Sequence, residues 1–442
     1  MLLPDHERSR TAVTFTDTNV TKGPAALSAH SDPVATAGLR PGVIVHDPAE
    51  TVDELLAAFA IGLRDRGFKV EGYVQKQLPP DDDASVGRIE FLDLSSGFLR
   101  TGDQRAGIAY LQTALTGQAD LLVIGRFAAC LDATDSLRTT KIQPRPGHSL
   151  PMLTAIAGHS IHQWHSYARH EGAMLAPDLT SLWQWWGPEQ LYRDLALGVA
   201  DDEVRQIACG QRWIMVEGPH GAGLAYLPRH PRALQPRLAS LGKQSLRQLA
   251  ALAMSWDPLE TALGIAAINA HYNRYDLAAA AGNGVKTFRH VAGRVGVIGA
   301  FPGVDGILPN CAVMEADPRP GEYPLAAMDS ILPACDATIV NASSLINRTL
   351  PRVLRLSQHR PVALIGPATP MTPRLFDYGL SVLGGLVVSD PKGLATAIRA
   401  GALPREFSRF GRFAHLMRGA SPDAARRSDT TSTTASLRRS HA

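Results

Sequence analysis

The residues best placed to do chemistry in this chain stand in its C-terminal third. An apolar run, VGVIGAFPGV, carries Gly296, Gly299 and Gly303. A glycine turn leaving a strand brings backbone N–H groups close to a ligand and lets the next helix present its N-terminus to an anion. The spacing is G-x-x-G-x-x-x-G, not the G-x-G-x-x-G of a dinucleotide turn, and Phe301 and Pro302 add bulk inside the loop. A plain tight turn and a site for some other small ligand both fit it. Glu315 lies about 20 residues beyond Gly296, where an acid meets the ribose in dinucleotide folds. Glu315 and Asp317 close the second strand in CAVMEADPRPG. Two residues apart in extended chain, they face one side about 7 Å apart, which suits a hard cation or a sugar diol. Surface carboxylates beside a proline-rich loop are the plainer reading.

Two more loops leave strand ends. NASSLINRTLP carries Asn341, Ser343, Ser344, Asn347 and Thr349, with Ser343 or Ser344 expected to cap the next helix. GPATPMTPRLF places Gly366 and Pro367 directly at a strand end, and its Thr372-Pro373 pair reads as an N-cap followed by a first-turn proline. In open α/β sheets ligands bind outside the carboxyl ends of the strands, where Glu315, Asn341 and Gly366 all stand beside the Gly299 turn.

The elements that must position these residues follow from hydrophobic pattern. Apolar strands are expected at 295–299, 311–315, 337–341 and 361–365, alternating with helical stretches in a doubly wound pattern. Upstream, RWIMVEGPHGAGLAYLP reads as a hairpin, followed by helices in SLRQLAALAM and PLETALGIAAINAHYN, an α+β arrangement. Asp257-Pro258-Leu259-Glu260 has the form of a helix start, with Asp257 as cap, Pro258 in the first turn and Glu260 at the capping-box position. Asn269 interrupts the apolar run LGIAAINA and needs hydrogen bonds if buried, whether to backbone or to a ligand.

The N-terminal part also alternates strand and helix. Val43–Val45, the helix TVDELLAAFAIGLRDRGF, the strand KVEGYVQ and the buried-type strand at 120–124 argue α/β. Leu55, Leu56, Phe59 and Leu63 line one helix face, and Gly67 suits its C-terminal cap. A nucleotide-binding protein has G-x-x-x-x-G-K-[ST] after such a first strand; here HDPAETVDELL brings no lysine and adds Asp47, Glu50, Asp53 and Glu54, which would repel phosphate. The same acids also suit a helix's first turn. His159, His162 and His165 recur at i, i+3 and i+6, so no more than two could share one metal from a single helix. Trp183, Trp185 and Trp186 read as packing anchors.

Two resemblances emerge from these runs. LLAAFAIGLRDRGFKVEGYVQ, LDLSSG, ADLLVIGRFA and TSLWQWWG look like a bacterial, nucleoside-triphosphatase-like family of unknown function associated with molybdate transport genes. That resemblance implies P-loop ancestry. The series RWIMVEGPHGAGLAYL, SWDPLETALGIAAINAHYN, VGVIGAFPG, MEADPRPGEYP, SSLINRTLP and GPATPMTPRLFDYG resembles the family described as putative heavy-metal chelation. It implies an enolase N-terminal-like α+β domain beside a Rossmann-like domain, with a site in the cleft between them. Carried onto this chain, the cleft residues are Glu260, Asn269, Gly299, Pro302, Glu315, Asp317, Asn347, Thr349, Gly366 and Pro367.

The expected division is a disordered leader at 1–38, a degenerate P-loop-like α/β domain at 39–187, the α+β domain at 188–284, the Rossmann-like domain at 285–418 and a disordered Ser/Thr/Arg tail at 419–442. Composition excludes several classes. Hydrophobic residues make up 45% and charged residues 19%, enough for real cores. A net charge of +3, with scattered basic residues, argues against nucleic acid. Four cysteines with no C-x-x-C pair argue against a zinc ribbon or dithiol motif. No 18-residue apolar run and no signal-peptide core are present, so a cytoplasmic protein is expected. The leading expectation is binding of a metal, an oxyanion or a metal-chelating small molecule. An enzyme using NAD or S-adenosylmethionine in the cleft is the alternative, and a non-catalytic scaffold the third; a homo-oligomer stays open.

Overall fold

The computed structural model describes residues 39–47, 52–76, 89–102, 119–125, 150–168, 172–228, 235–299, 301 and 303–420. The expected disordered leader, nearly all of the expected tail, Glu50, Pro302 and His170 lie outside these residues. The described residues fall within one compact unit.

Three sheets organise them. The first contains β1 (Gly42–His46), β2 (Val70–Lys76), β3 (Ile89–Asp93), β4 (Leu99–Gly102), β5 (Leu121–Ile124), β6 (Met152–Ala157) and β7 (Ala173–Leu175), in the order β4-β3-β2-β5-β6-β1-β7. β1, β2, β5, β6 and β7 run parallel, while β3 and β4 form an antiparallel edge. Continuous apolar strands such as β5 are buried on both faces, as a covered parallel sheet requires. The helix Val52–Asp65 buries Leu56, Phe59 and Leu63 against this sheet's core. It ends at Gly67, whose φ of +95° is the left-handed value that a glycine cap supplies.

The second sheet is a meander of β8 (Gln206–Cys209), β9 (Trp213–Glu217) and β10 (Ala222–Tyr226). The helix Pro258–Tyr272 packs on it and is buried almost all round, from Leu259 to Ala270 apart from Glu260. That fits its sequence, in which small and apolar residues occupy every face rather than one stripe. Two glycines allow backbones to touch. A Cβ on Gly264 would lie 2.1 Å from the Ala253 nitrogen, and one on Gly223 would lie 2.2 Å from the Ala270 nitrogen.

The third sheet contains β11 (Ala280–Ala281), β12 (Val295–Ile298), β13 (Cys311–Glu315), β14 (Tyr323–Pro324), β15 (Ala337–Asn341), β16 (Val362–Ile365), β17 (Leu380–Val388) and β18 (Gly411–Met417). Their order is β11-β18-β17-β16-β15-β12-β13-β14. The four strands expected from the apolar runs are present within one residue at each end. The sheet then continues beyond them through parallel β17 and antiparallel β18. The α/β class read from the sequence is the class observed.

A buried ionic knot ties the first and third sheets together. Asp194, fully buried on the helix Leu191–Leu197, accepts from Arg66, from Arg374 at 2.6 Å and from the Tyr378 hydroxyl at 3.0 Å. Arg66 also pairs with Asp377 and lies 4.4 Å above the Trp183 ring. Trp183 and Trp186 are packing anchors, with edge-on contacts to Phe59 and Tyr378 and to Phe68 respectively.

Candidate functional site

The third sheet changes winding direction at β12. From β12 the chain moves outward to β13 and β14, then returns to the other side of β12 as β15 and proceeds through β16 to β17. Connections leaving β12 and β15 therefore diverge, and in open α/β sheets the carboxyl ends of strands at such a change of winding are where ligands bind. Gly299 follows β12 with φ +87°, and a Cβ there would sit 2.7 Å from the Asn341 Cβ at the end of β15. Gly366, after β16, has φ +145°, a conformation essentially confined to glycine. A Cβ on it would lie 3.2 Å from the Ala342 Cβ and 3.6 Å from Asn341 Oδ1. Two expected site residues, Gly299 and Gly366, thus flank one side chain, Asn341, which the sequence placed at a strand end but not among the cleft residues.

Asn341, not Ser343 or Ser344, caps the turn that follows: its Oδ1 accepts from the Ser343 N–H at 3.0 Å. Ser344 is buried, and its Oγ has no partner among the described residues. The physical reason for the shift is that the strand's last residue already has the extended backbone a cap needs, one turn earlier than the serines.

Glu315 ends β13, half-buried, and its Oε2 accepts from the Ala316 N–H at 2.8 Å. Asp317 lies beyond the strand in an exposed bend. The two carboxylates therefore do not project from one extended segment, as the spacing alone implied. Asn347 and Thr349 are bonded to each other: Asn347 Oδ1 accepts from the Thr349 N–H at 3.1 Å and from its hydroxyl at 2.7 Å.

In the α+β part, Asp257 caps its helix as expected, accepting from the Leu259 and Glu260 N–H groups. Glu260 does not complete a capping box. Its carboxylate accepts from the Ser255 hydroxyl at 2.8 Å and from Arg237 at 3.1 Å, while the Asp257 N–H turns to Ser255 Oγ. Asn269 is fully buried and donates to the Leu224 carbonyl at 2.8 Å and the Ala368 carbonyl at 2.9 Å. Its own Oδ1 has no partner among the described residues. One turn later Asn273 donates to Thr369 at 3.0 Å and accepts from the Met371 N–H at 2.8 Å. These two asparagines hold the loop after Gly366-Pro367, and Thr372 caps the turn beyond it. Asn273 was not singled out in the sequence; its signal was a polar residue at the end of an otherwise buried helix.

Among the described residues, no group of three or more His, Cys, Asp or Glu side chains stands where it could hold a metal ion. His159 lies in a turn before the helix Ile161–Ala168, which carries His162 and His165. Protein-only zinc sites take three or four such ligands and calcium takes six to eight oxygens, so these side chains do not fit a bare ion. No described helix is long and apolar enough to cross a membrane.

At the first sheet, β1 ends in His46, and Asp53 and Glu54 stand in the first turn of the following helix. Carboxylates at a helix N-terminus occupy the place that phosphate takes in nucleotide-binding proteins. With ATP or GTP, the protein is expected to release phosphate no faster than a no-enzyme control. Faster release that is lost on substitution within 46–54 would mean that this end of the sheet hydrolyses nucleotides by another route.

Comparison with known proteins agrees with the resemblances. Residues 42–107 and 99–185 match a family described as a protein of unknown function. Part of the chain also shares similarity with the molybdenum import ATP-binding protein ModC 2 of Bradyrhizobium diazoefficiens, 26% identical over 163 residues. That match covers 33% of this chain and spans only 18% of the relative's length. A solved protein of unknown function from Desulfitobacterium hafniense is 31% identical, covering 52% of this chain and 97% of that one, with a TM-score of 0.47. One from Pyrococcus horikoshii is 22% identical, covering 54% and 100%, with a TM-score of 0.44. Two family models, both described as putative heavy-metal chelation, match residues 192–272 and 286–417, and over that part the chain belongs to the putative heavy-metal chelation family.

Proposed function

We propose that this chain binds a small anionic ligand that brings its metal with it, a metal chelate or a metal oxyanion, at the carboxyl ends of β12, β13, β15 and β16. The observation that carries the reading is the change of winding at β12, where Gly299 and Gly366 bring backbone close to Asn341. Backbone N–H groups at such a turn suit an anionic group. Glu315 on the adjoining strand end suits a cationic or hydroxyl-bearing part of the same ligand. A chelate has both characters. The family description and the molybdenum in the name of the relative support a metal-related ligand. Asn347, Thr349, Glu260 and Asn269 belong to this reading as supports of the surrounding loops, and Pro367 as a residue of the loop after β16. The division at 39–187, 188–284 and 285–418 and a cytoplasmic setting are part of the same proposal.

The test pairs Glu315→Gln and Asp317→Asn with calorimetric titration of molybdate and of zinc citrate. Affinity is expected to fall about tenfold where a charge-assisted bond is lost, with the melting temperature little changed, because Asp317 is exposed and Glu315→Gln keeps an oxygen that can accept from the Ala316 N–H. Unchanged affinity for a probe that binds the parent protein would remove the two acids from the site. A large fall in melting temperature would make them structural.

A further inference from the structure

Arg348 lies between the mutually bonded Asn347 and Thr349, and its backbone takes φ +58°, a left-handed value that few non-glycine residues adopt. The Asn347–Thr349 turn holds it there. Its guanidinium is sandwiched between two aromatic rings, 4.4 Å from the Tyr192 centroid and 4.6 Å from the Trp256 centroid. Nη2 donates to the Ala253 and Ser255 carbonyls at 2.7 and 2.6 Å. Nε and Nη1 have no acceptor among the described residues, and no described carboxylate pairs with this cation. Ten other described arginines, by contrast, stand in ion pairs with acids. Burial pulls the Arg348 guanidinium below its ordinary value, with only the neighbouring Tyr192 acting in the opposite direction. A cation removed from water is costly unless an anion or full hydrogen bonding compensates it.

The setting is also open on one side. Trp256 is 77% exposed although its face is stacked on the guanidinium. A large aromatic left in solvent beside an unpaired cation is a common form of a binding surface for a planar or anionic group. Two carbonyls, two rings and a constrained turn fix the guanidinium in place, so a ligand that meets it finds donors already oriented.

We propose that Arg348 is an anion-recognising residue, taking a carboxylate or oxyanion oxygen of the ligand on its Nε and Nη1 hydrogens at the seam between the 347–349 turn and the Ala253–Trp256 segment. This rests on the reading that the chain binds an anionic, metal-bearing ligand, and names the group that reads its charge. Arginine suits the task better than lysine because its planar head can keep both carbonyl bonds and still present further N–H groups.

The full chain is titrated with molybdate, citrate and zinc citrate, with sodium chloride at matched ionic strength as the control. The parent protein, Arg348→Lys, Arg348→Met and Glu315→Gln are compared, and melting temperatures are recorded without ligand. Saturable binding by the parent is expected, weakened about tenfold or more in Arg348→Met for loss of a charge-assisted bond. Arg348→Lys, which keeps the charge, is expected to lie between the two and to guard against a fold defect. Equal affinity in the parent and in both Arg348 variants, with affinity lost in Glu315→Gln, would overturn the role of Arg348 and leave the site at the strand ends standing. Variants that melt early yet bind every probe like the parent would make Arg348 a purely structural clamp. No saturable binding of any of the three probes by the parent would overturn the proposal for this class of anion.

Discussion

Replacing Asp194 with alanine is expected to lower the unfolding free energy by about 3–5 kcal/mol, the cost of removing one partner from a buried ion pair. The side chain has no solvent exposure and accepts from Arg66, Arg374 and Tyr378. Its loss leaves the largely buried Arg374 without an acid and Arg66 with only the partly exposed Asp377. The measurement is urea denaturation followed by tryptophan fluorescence, with the far-ultraviolet signal alongside to show whether the transition stays cooperative. Asp377, bound to the same Arg66 but about one third exposed, provides the contrast. Asp377→Asn is expected to cost about 1 kcal/mol or less, as partly solvated pairs do. The apolar triple replacement Arg66→Met, Asp194→Leu, Arg374→Met should recover much of the loss, because desolvation of the charges disappears with the charges. An Asp194→Ala protein as stable as the parent would show that the knot is not closed in solution.

The second large effect is expected at Asn273. This fully buried side chain donates to Thr369 and Leu386 and accepts from the Met371 N–H. Asn273→Ala leaves those three backbone groups without it, and at about 1 kcal/mol or more for each buried group the total is about 3 kcal/mol. Asn273→Asp is expected to be worse despite its matching shape. A carboxylate cannot donate, so it would face two carbonyl oxygens with a buried negative charge. The local readout is amide hydrogen exchange across 366–371, which should accelerate more than exchange in β15 or β16. Because this loop carries Gly366 and Pro367, ligand affinity should fall with it. Parent-like stability and parent-like exchange in that loop would show that the asparagine does not hold it.

Both side chains illustrate what local sequence can and cannot carry. The α/β class, four strands of the third sheet, the β9–β10 hairpin and the caps at Asp257 and Thr372 were legible, because each depends on residues within a few positions of one another. Apolar periodicity identifies a buried strand, an aspartate before proline starts a helix, and a glycine ends one, whatever lies elsewhere in the chain. Gly299 and Gly366 were legible as turns for the same reason. That both approach Asn341 was not, since it depends on strand order in the sheet. Glu260 had a local role available in a capping box, yet its carboxylate goes to Ser255 and to Arg237, on the far side of a loop. Asn269 needed hydrogen bonds if buried; only the folded chain decided that Leu224 and Ala368 receive them. Arg348 carries no local signal in the run NASSLINRTLP. Its two aromatic faces come from residues 192 and 256, and its carbonyl partners from 253 and 255. The sequence by itself determined where the chain would be extended, helical or turning, because backbone sterics and hydrophobic period are local. Tertiary structure alone decided which polar groups meet, because a buried donor takes whichever acceptor the packing brings within reach, often a hundred or more residues away.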